Sequence, residues 1–186
     1  MTMAGRIRAG CLIFAVAVSG CDQGPPPDRL KVGGTFPDLV LTTLDQHRDR
    51  LTAYRGRLVI LNVWATWCPP CRRELPSLQR LQTVLGSDRL AVVLLSVDDD
   101  PDIVREYLRH KGIDLSSYID PGQDNADRIL GIRRYPDSFV ISAEGGLVRR
   151  FAGETDWARP ELVAAMKKAA YNHDFTALMD YRDSTR

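Results

Sequence analysis

The chain has 186 residues, 44% of them hydrophobic and 26% charged, which suits one globular core and makes two full domains improbable. Its formal net charge is +1, and no block of lysine and arginine forms a phosphate-binding face. Nucleic-acid binding is therefore not expected, and one globular domain is.

The first twenty residues have the pattern of an export signal. Arg6 and Arg8 precede an apolar run at 11–18 that is too short to span a bilayer and that leads into small residues. The tetrapeptide Val-Ser-Gly-Cys ending at Cys21 resembles the lipobox of bacterial lipoproteins. An uncleaved anchor, or an ordinary cleavage site beside a chance cysteine, is the alternative.

The lipobox resemblance implies a signal peptide over residues 1–20 and a lipid on Cys21. The protein is then exported and anchored to a bacterial membrane facing the periplasm, and Asp22 favours the inner membrane. Three prolines within residues 21–30 predict a semi-rigid tether. The globular domain is assigned to residues 31–170.

Two buried strands and a preceding hairpin are predicted in the first half of this domain. Short alternating segments within 39–56 predict the hairpin and a turn. The nearly continuous apolar runs at 57–66 and 90–97 are typical of strands buried on both faces.

Helices are predicted by apolar periodicity and by their end residues. Leucines at 75, 78, 81 and 85 recur at helical spacing, and Gly86 ends that helix. A second helix begins near Pro101 and ends at Gly112; the three aspartates before it are interpreted as caps rather than metal ligands.

A second hairpin and a last helix complete the predicted domain. The hairpin turns at residues 143–146, and the helix begins near Pro160. Residues 171–186 form a polar tail that could contain a short helix at 175–181. The element order predicts an α/β architecture with a mixed sheet.

Cysteine usage indicates a reactive pair. Cys11 would leave with the signal peptide and Cys21 would carry lipid, so Cys68 and Cys71 remain, separated by two prolines. The loop between them is too small to stabilise the fold much as a crosslink. The three histidines are scattered singly, so a zinc site is not expected. The redox-active disulfide is the only redox group expected, without metal or cofactor.

The position of this pair gives the two sulfurs different roles. Cys68, at the start of a helix, faces the positive end of the helix dipole and is predicted to attack; Cys71, one turn later, is predicted to resolve the mixed disulfide. Pro69 and Pro70 supply no N–H groups to the sulfur. We therefore expect a reduction potential nearer to about −270 mV than to about −120 mV.

The stretch VILNVWATWCPPCRRELPSL, residues 59–78, resembles the active-site segment of the TlpA/ResA-like thioredoxin family, and the resemblance extends over about 33–168. It implies a thioredoxin fold with an N-terminal β-hairpin, a mixed central sheet flanked by helices, and a strand-helix insertion within 90–120. Pro76 matches the proline inside the family's active-site helix.

The resemblance also implies a substrate-binding surface and a proton relay. Pro136 would be a cis-proline facing the cysteines, and the substrate surface would comprise Trp67, Pro69, Pro70, Tyr135 and Pro136. Asn62 stands where thioredoxin has a buried aspartate, and an amide cannot titrate. Glu74 could move the proton instead, or could be an ordinary surface glutamate; both interpretations stay open.

The function implied is a membrane-anchored, extracytoplasmic protein-disulfide reductase. Its partner would be an oxidised protein dithiol, such as the haem-binding pair of an apocytochrome c or the copper-binding thiols of an assembly factor. A thiol transporter in the membrane would supply electrons, and the protein is expected to be a monomer. The alternatives are a peroxiredoxin-type thiol peroxidase, whose P-x-x-x-T-x-x-C pattern is missing here, and a non-catalytic copper-binding chaperone.

Overall fold

The computed structural model describes residues 30–182. The predicted signal peptide, the lipidation site Cys21, all of the tether except Leu30, and the last four residues lie outside them. No helix in the described part of the chain combines the length and apolar character needed to cross a membrane.

The described chain forms one seven-stranded mixed sheet with helices packed against it. The strands are β1 (Val40–Thr43), β2 (Arg48–Arg50), β3 (Leu58–Trp64), β4 (Leu90–Ser96), β5 (Ser116–Ile119), β6 (Asp137–Ile141) and β7 (Leu147–Ala152). The helices are α1 (Pro69–Leu85), α2 (Pro101–Lys111), α3 (Pro160–Asn172) and α4 (Thr176–Met179). A 3-10 turn spans Leu51–Tyr54 and a π-helical segment spans Asp124–Ile129. This is a thioredoxin-like fold, as the sequence predicts.

The centre of the sheet explains the continuous apolar runs. The strand order is β2-β1-β5-β4-β3-β6-β7, with β3 parallel to β4 and antiparallel to β6. Every residue of β3 and β4 is buried, because a central strand covered on both faces has no solvent-exposed side. The reactive pair therefore follows a fully buried strand in the central part of the sheet.

The N-terminal hairpin extends the sheet on one side. β1 pairs with β2 and with β5, in both cases antiparallel. The hairpin prediction is confirmed, whereas β5 was not predicted as a separate strand. Its sequence, Ser-Ser-Tyr-Ile, has only two buried residues, so it lacks the apolar run that identified β3 and β4.

The predicted ends of α1 and α2 are also confirmed. Gly86 and Gly112 end them with φ values of 84° and 62°, which favour glycine. Asp100 caps α2 by accepting the N–H of Asp102 at 2.8 Å. The capping interpretation is wrong for Asp98, which is buried and binds other groups near the reactive pair.

The segment after α3 packs against the edge strand β7. It contains the predicted short helix, α4, in which Leu178 is fully buried. The guanidinium of Arg149 donates to the carbonyl oxygens of Leu178 at 2.8 Å and Met179 at 2.5 Å, and also to that of Tyr181. One side chain of β7 thus satisfies backbone carbonyl oxygens at the end of α4 that have no partner within the helix.

Candidate active site

Cys68 and Cys71 lie where β3 ends and α1 begins, and they form a disulfide. Cys68 is the N-cap residue of α1, and its sulfur accepts the backbone N–H of Cys71 at 3.3 Å. Cys68 is 5% exposed, whereas Cys71 is fully buried. Cys68 is thus the more exposed of the two residues, and their roles of attacker and resolver stay predictions.

The two prolines occupy the first two positions of α1. Helix caps usually receive N–H groups from the second and third helical residues, and Pro70 at the second position has none. Within residues 30–182 the N–H of Cys71 is the one hydrogen-bond donor to the Cys68 sulfur. This agrees with the reasoning behind the predicted potential, which itself stays a prediction.

Asp98 holds the segment that precedes the cysteines. Its carboxylate accepts the backbone N–H of Thr66 at 2.9 Å, the Thr66 hydroxyl at 2.6 Å and the Ser96 hydroxyl at 2.5 Å. Because Thr66 directly precedes Trp67 and Cys68, these bonds fix the approach to the reactive sulfur. The sequence analysis missed this role of Asp98. The available indication was that Asp98 lies two residues after the end of β4, an entirely buried strand.

Glu74 is buried, with 2% of its surface exposed. The Asn62 amide donates to its Oε1, and the Thr155 backbone N–H donates to its Oε2 at 2.9 Å. Removal from water raises the pKa of Glu74 to about 8, against the lowering effect of the Thr155 and Asn62 hydrogen bonds. The alternative of a surface glutamate is therefore wrong.

The sequence did contain an indication of this burial. Glu74 lies three residues after Cys71, and the two share a face of α1 with Leu75 and Leu78. Positions three or four apart on a helix are neighbours, so Glu74 lies one turn from Cys71 on the same side of α1. A charged residue on an apolar helical stripe is a candidate for an altered pKa.

Replacing Glu74 with glutamine is expected to change how stability depends on pH. The wild-type carboxyl keeps its proton in the folded state up to about pH 8 but loses it near pH 4.5 when unfolded. Between these values the folded state binds more protons, so its unfolding free energy falls by about 1.4 kcal/mol per pH unit. Denaturant titrations of oxidised wild type and Glu74→Gln from pH 5.5 to 7.5 should show this decline only in wild type. Parallel curves would contradict a buried, protonated Glu74, and the exposed Glu161→Gln is the matched control.

Tyr135 contacts Trp67, the residue that precedes Cys68, and is followed by Pro136. The peptide bond between Tyr135 and Pro136 is cis, as the sequence resemblance implies. The Tyr135 ring makes an edge contact with Trp67, with centroids 6.0 Å apart, and its hydroxyl donates to Gln123 Oε1 at 2.8 Å. Because Trp67 adjoins Cys68 and is 61% exposed, the two rings form an accessible aromatic surface next to the attacking sulfur.

Gln123 is a second residue that sequence reasoning missed. It directly precedes the π-helical segment and has a φ of 61°, in the left-handed region that few non-glycine residues adopt. Its carbonyl oxygen fixes the hydroxyl end of Tyr135. Nothing in the local sequence pattern indicated that these residues, twelve apart, would meet.

No group of three or more histidine, cysteine, aspartate or glutamate side chains within residues 30–182 could hold a metal ion. The site contains two disulfide-bonded cysteines, of which Cys68 is the more exposed, and a buried carboxyl whose pKa is raised to about 8. On a thioredoxin-like fold, these features define a thiol-disulfide oxidoreductase.

Comparison with known proteins agrees with that class. The chain belongs to the Redoxin family, whose profile matches residues 31–166. It is 33% identical over 122 residues to the thiol-disulfide oxidoreductase ResA of Geobacillus thermodenitrificans, covering 66% of this chain and 70% of the relative. ResA of Bacillus thuringiensis is 28% identical over 141 residues, which are 76% of this chain and 80% of that one. The resemblance drawn from the sequence is confirmed.

The fold has solved counterparts. The crystal structure of a thiol:disulfide interchange protein of the thioredoxin family from Chlorobium tepidum superposes with a TM-score of 0.62 at 26% identity, covering 75% of this chain and 97% of that one. The protein described here is thus a thiol-disulfide oxidoreductase with a Cys68–Cys71 redox pair.

Proposed function

We propose that the protein reduces disulfides in partner proteins outside the cytoplasm while a lipid on Cys21 tethers it to the membrane. The observation that carries the reductase assignment is the unequal exposure of the two sulfurs together with the single N–H donor to Cys68. A thiolate that receives few hydrogen bonds is weakly stabilised, so the dithiol form gives up its electrons readily.

The reaction is two successive thiol-disulfide exchanges. The Cys68 thiolate attacks one sulfur of the substrate disulfide, forms a mixed disulfide and releases the other substrate sulfur as a thiolate. The Cys71 thiolate then attacks the Cys68 sulfur and releases the second substrate sulfur. The substrate gains two electrons and, with protons, becomes a dithiol, while the enzyme is left with its Cys68–Cys71 disulfide.

Glu74 is proposed to take the proton of Cys71 in the second exchange, acting through its ionised form, which is the minor form below its pKa of about 8. Its pKa of about 8 lies close to the free thiol value of about 8.5, so a proton can pass between the two groups at little cost in free energy. A carboxyl at the usual value would be a much weaker base.

The proposed substrate is an oxidised protein dithiol, of the kind found in cytochrome c maturation or copper-site assembly. The domain would act as a monomer, held near the periplasmic face of the inner membrane by its anchor and proline-rich tether. A thiol transporter in the same membrane would reduce the Cys68–Cys71 disulfide again. The predicted lipobox supports the location, and the narrow exposure of Cys68 favours an extended, accessible substrate segment.

The substrate surface is proposed to comprise Trp67, Tyr135 and Pro136 together with the first turn of α1. Pro69 is exposed and Pro70 half-buried, so both can contact a segment that reaches Cys68. Tyr135 is held between Trp67 and Gln123, and it therefore presents a fixed shape to the partner.

Replacing Tyr135 with valine is expected to lower kcat/KM for a protein disulfide substrate by about tenfold, the effect of losing one well-packed aromatic contact. Reduction of a small disulfide such as oxidised glutathione should change much less, because it does not extend over the ring. Tyr171→Val is the matched control, because Tyr171 lies on α3 and its hydroxyl donates to Leu85 O, at the opposite end of α1 from Cys68. Equal losses with both substrates would show that Tyr135 does not select partners.

Trapping of the mixed disulfide tests the proposed function. In Cys71→Ala the first exchange proceeds and the second cannot, so the membrane fraction of cells that express this variant should contain covalent adducts through Cys68. Mass spectrometry of adducts released by dithiothreitol names the partners. Protein dithiol partners support the reductase; copper retention without adducts, or rapid stoichiometric oxidation of Cys68 by micromolar peroxide, contradicts it.

A further inference from the structure

Asn62 is fully buried on β3 and connects Glu74 to β6. Its Nδ2 group donates one hydrogen to Glu74 Oε1 and the other to Ser138 Oγ at 2.8 Å. Asn62 and Ser138 are directly opposite each other in the β3–β6 pairing. The Asn62 Oδ1 atom is buried and has no hydrogen-bond partner. In this orientation the amide uses only its donors, which suits an ionised Glu74.

The orientation of Asn62 in which Nδ2 points at Glu74 Oε1 binds the protonated carboxyl less well than the ionised one. The Thr155 N–H already binds Oε2, so the acid proton belongs on Oε1, where it would point at the Asn62 Nδ2 hydrogens. Two donors would then face each other inside a buried site, and an unsatisfied buried polar group costs about 1–3 kcal/mol. When Glu74 gains a proton, the Asn62 amide must therefore present an acceptor to Oε1 instead of a donor.

Half a turn of the amide about its last torsion removes this conflict. Rotation exchanges Nδ2 and Oδ1 with almost no change in shape. Oδ1 would then accept from the Glu74 carboxyl and from the Ser138 hydroxyl, which can act either as donor or as acceptor. Each protonation state of Glu74 is thus matched by one amide orientation that makes two hydrogen bonds, and in both orientations the other end of the amide occupies the buried position that has no partner here.

We propose that the Asn62 side chain reverses its orientation as Glu74 gains and loses its proton, and that Asn62 and Ser138 thereby set the pH range in which Glu74 exchanges protons with Cys71. Asn62 is a positioning residue that acts through Glu74. The inference rests on the proposed role of Glu74 in the second exchange.

The charged groups around Glu74 are compatible with a proton-linked reversal of the Asn62 amide. From α1 the titratable neighbour is Cys71, and Arg73 is directed to an ion pair with Glu154. Glu154 follows β7 and acts on Glu74 only through space, which raises its pKa. On β6, Asp137 is neutralised by Arg150 at 2.5 Å. The Asn62 amide and the Thr155 N–H bind the carboxyl directly, and the Trp157 side chain is a further group that lowers the pKa of Glu74.

An amide at this position has a property that an aspartate lacks. A second carboxyl would add its own charge and couple two titrations, whereas the amide is neutral in both orientations. It can bind the ionised carboxylate as a donor and the neutral acid as an acceptor. Asn62 therefore allows the buried Glu74 carboxyl to change its charge while its Oε1 atom keeps a hydrogen-bond partner.

Nuclear magnetic resonance on the oxidised full-length protein tests the reversal, because the disulfide prevents the cysteines from titrating. The Glu74 carboxyl carbon and the Asn62 side-chain amide are followed from pH 5 to pH 10. We expect both to titrate with the same midpoint, and we expect contacts between the amide hydrogens and the Ser138 β-hydrogens only on the alkaline side. Contacts that persist at both ends of the titration would overturn the proposal.

The variant Asn62→Leu supplies a second test. The ionised carboxylate loses a charge-assisted bond and the acid loses a weaker neutral one, so the Glu74 midpoint should rise by about one pH unit. Asn172→Leu, at the exposed end of α3, should leave the midpoint unchanged. A midpoint that does not move in Asn62→Leu would also overturn the inference.

These outcomes are separable from the proposed function. The wild-type titration needs no variant to fold and no substrate to be reduced. If the wild-type protein fails to reduce protein disulfides while the amide still reverses, the proposed function fails and the proton-linked reversal of Asn62 stands.

Discussion

Replacing Cys68 with serine is expected to lower the rate of protein disulfide reduction by about a thousandfold or more, because the attacking thiolate is lost. Cys71 is not expected to substitute for it, since Cys71 is fully buried whereas Cys68 is 5% exposed. Single-turnover mixing of the reduced variant with an oxidised protein substrate measures this directly. No released substrate thiol should appear on the wild-type timescale.

Cys71→Ser is the matched variant, because it removes the second sulfur and keeps the first. It should release the first substrate thiol at nearly the wild-type rate and then stop as a mixed disulfide. Multiple-turnover activity is lost in both variants, so only the single-turnover phase separates them. An equal loss of that phase in both would show that the two sulfurs do not have the distinct roles that their burial indicates.

Replacing Trp157 with alanine is expected to lower the free energy of unfolding by about 3–5 kcal/mol, the usual cost of removing a large buried aromatic side chain. The ring is fully buried and packs on Phe151, with centroids 4.9 Å apart. Its backbone N–H also donates to Ser77 Oγ on α1 at 3.1 Å. Urea denaturation of the oxidised protein measures the loss.

Trp67→Ala is the control for this change, since it deletes the same side chain at a position that is 61% exposed. Its unfolding free energy should change by about 0.5 kcal/mol or less, while its rate of reduction of protein disulfides should fall with the loss of the ring beside Tyr135. Similar destabilisation by the two substitutions would contradict the burial of Trp157 as the cause.

Much of the fold could be predicted because its determinants are local. The apolar runs of β3 and β4, the leucine spacing of α1 and the glycines at 86 and 112 each act within one element. Backbone geometry and side-chain periodicity therefore place them without any knowledge of neighbours. β5 escaped prediction because its partners, β1 and β4, supply what its own short sequence lacks.

The residues of the candidate site also fall into those that the local sequence indicates and those that depend on distant partners. The pairing of Cys68 with Cys71 and the prediction of their roles follow from their spacing and from the helix that they begin, so both could be drawn from the sequence alone. The roles of Asp98, Gln123 and Asn62 depend on partners at 66, 135 and 138. Those partners are distant in the chain or lie on another element, so local patterns carry no information about them.

The sequence by itself therefore determined the fold class and the identity of the redox pair, and it predicts the order in which the sulfurs react. The tertiary structure decided that Glu74 is a buried acid with a raised pKa rather than a surface charge, and that Asn62 and Ser138 lie against it. The physical reason is that an ionisable group takes its properties from the solvent that surrounding elements exclude and from the dipoles that they direct at it. Only the register of β3 and β6 and the packing of Thr155 on α1 bring these together.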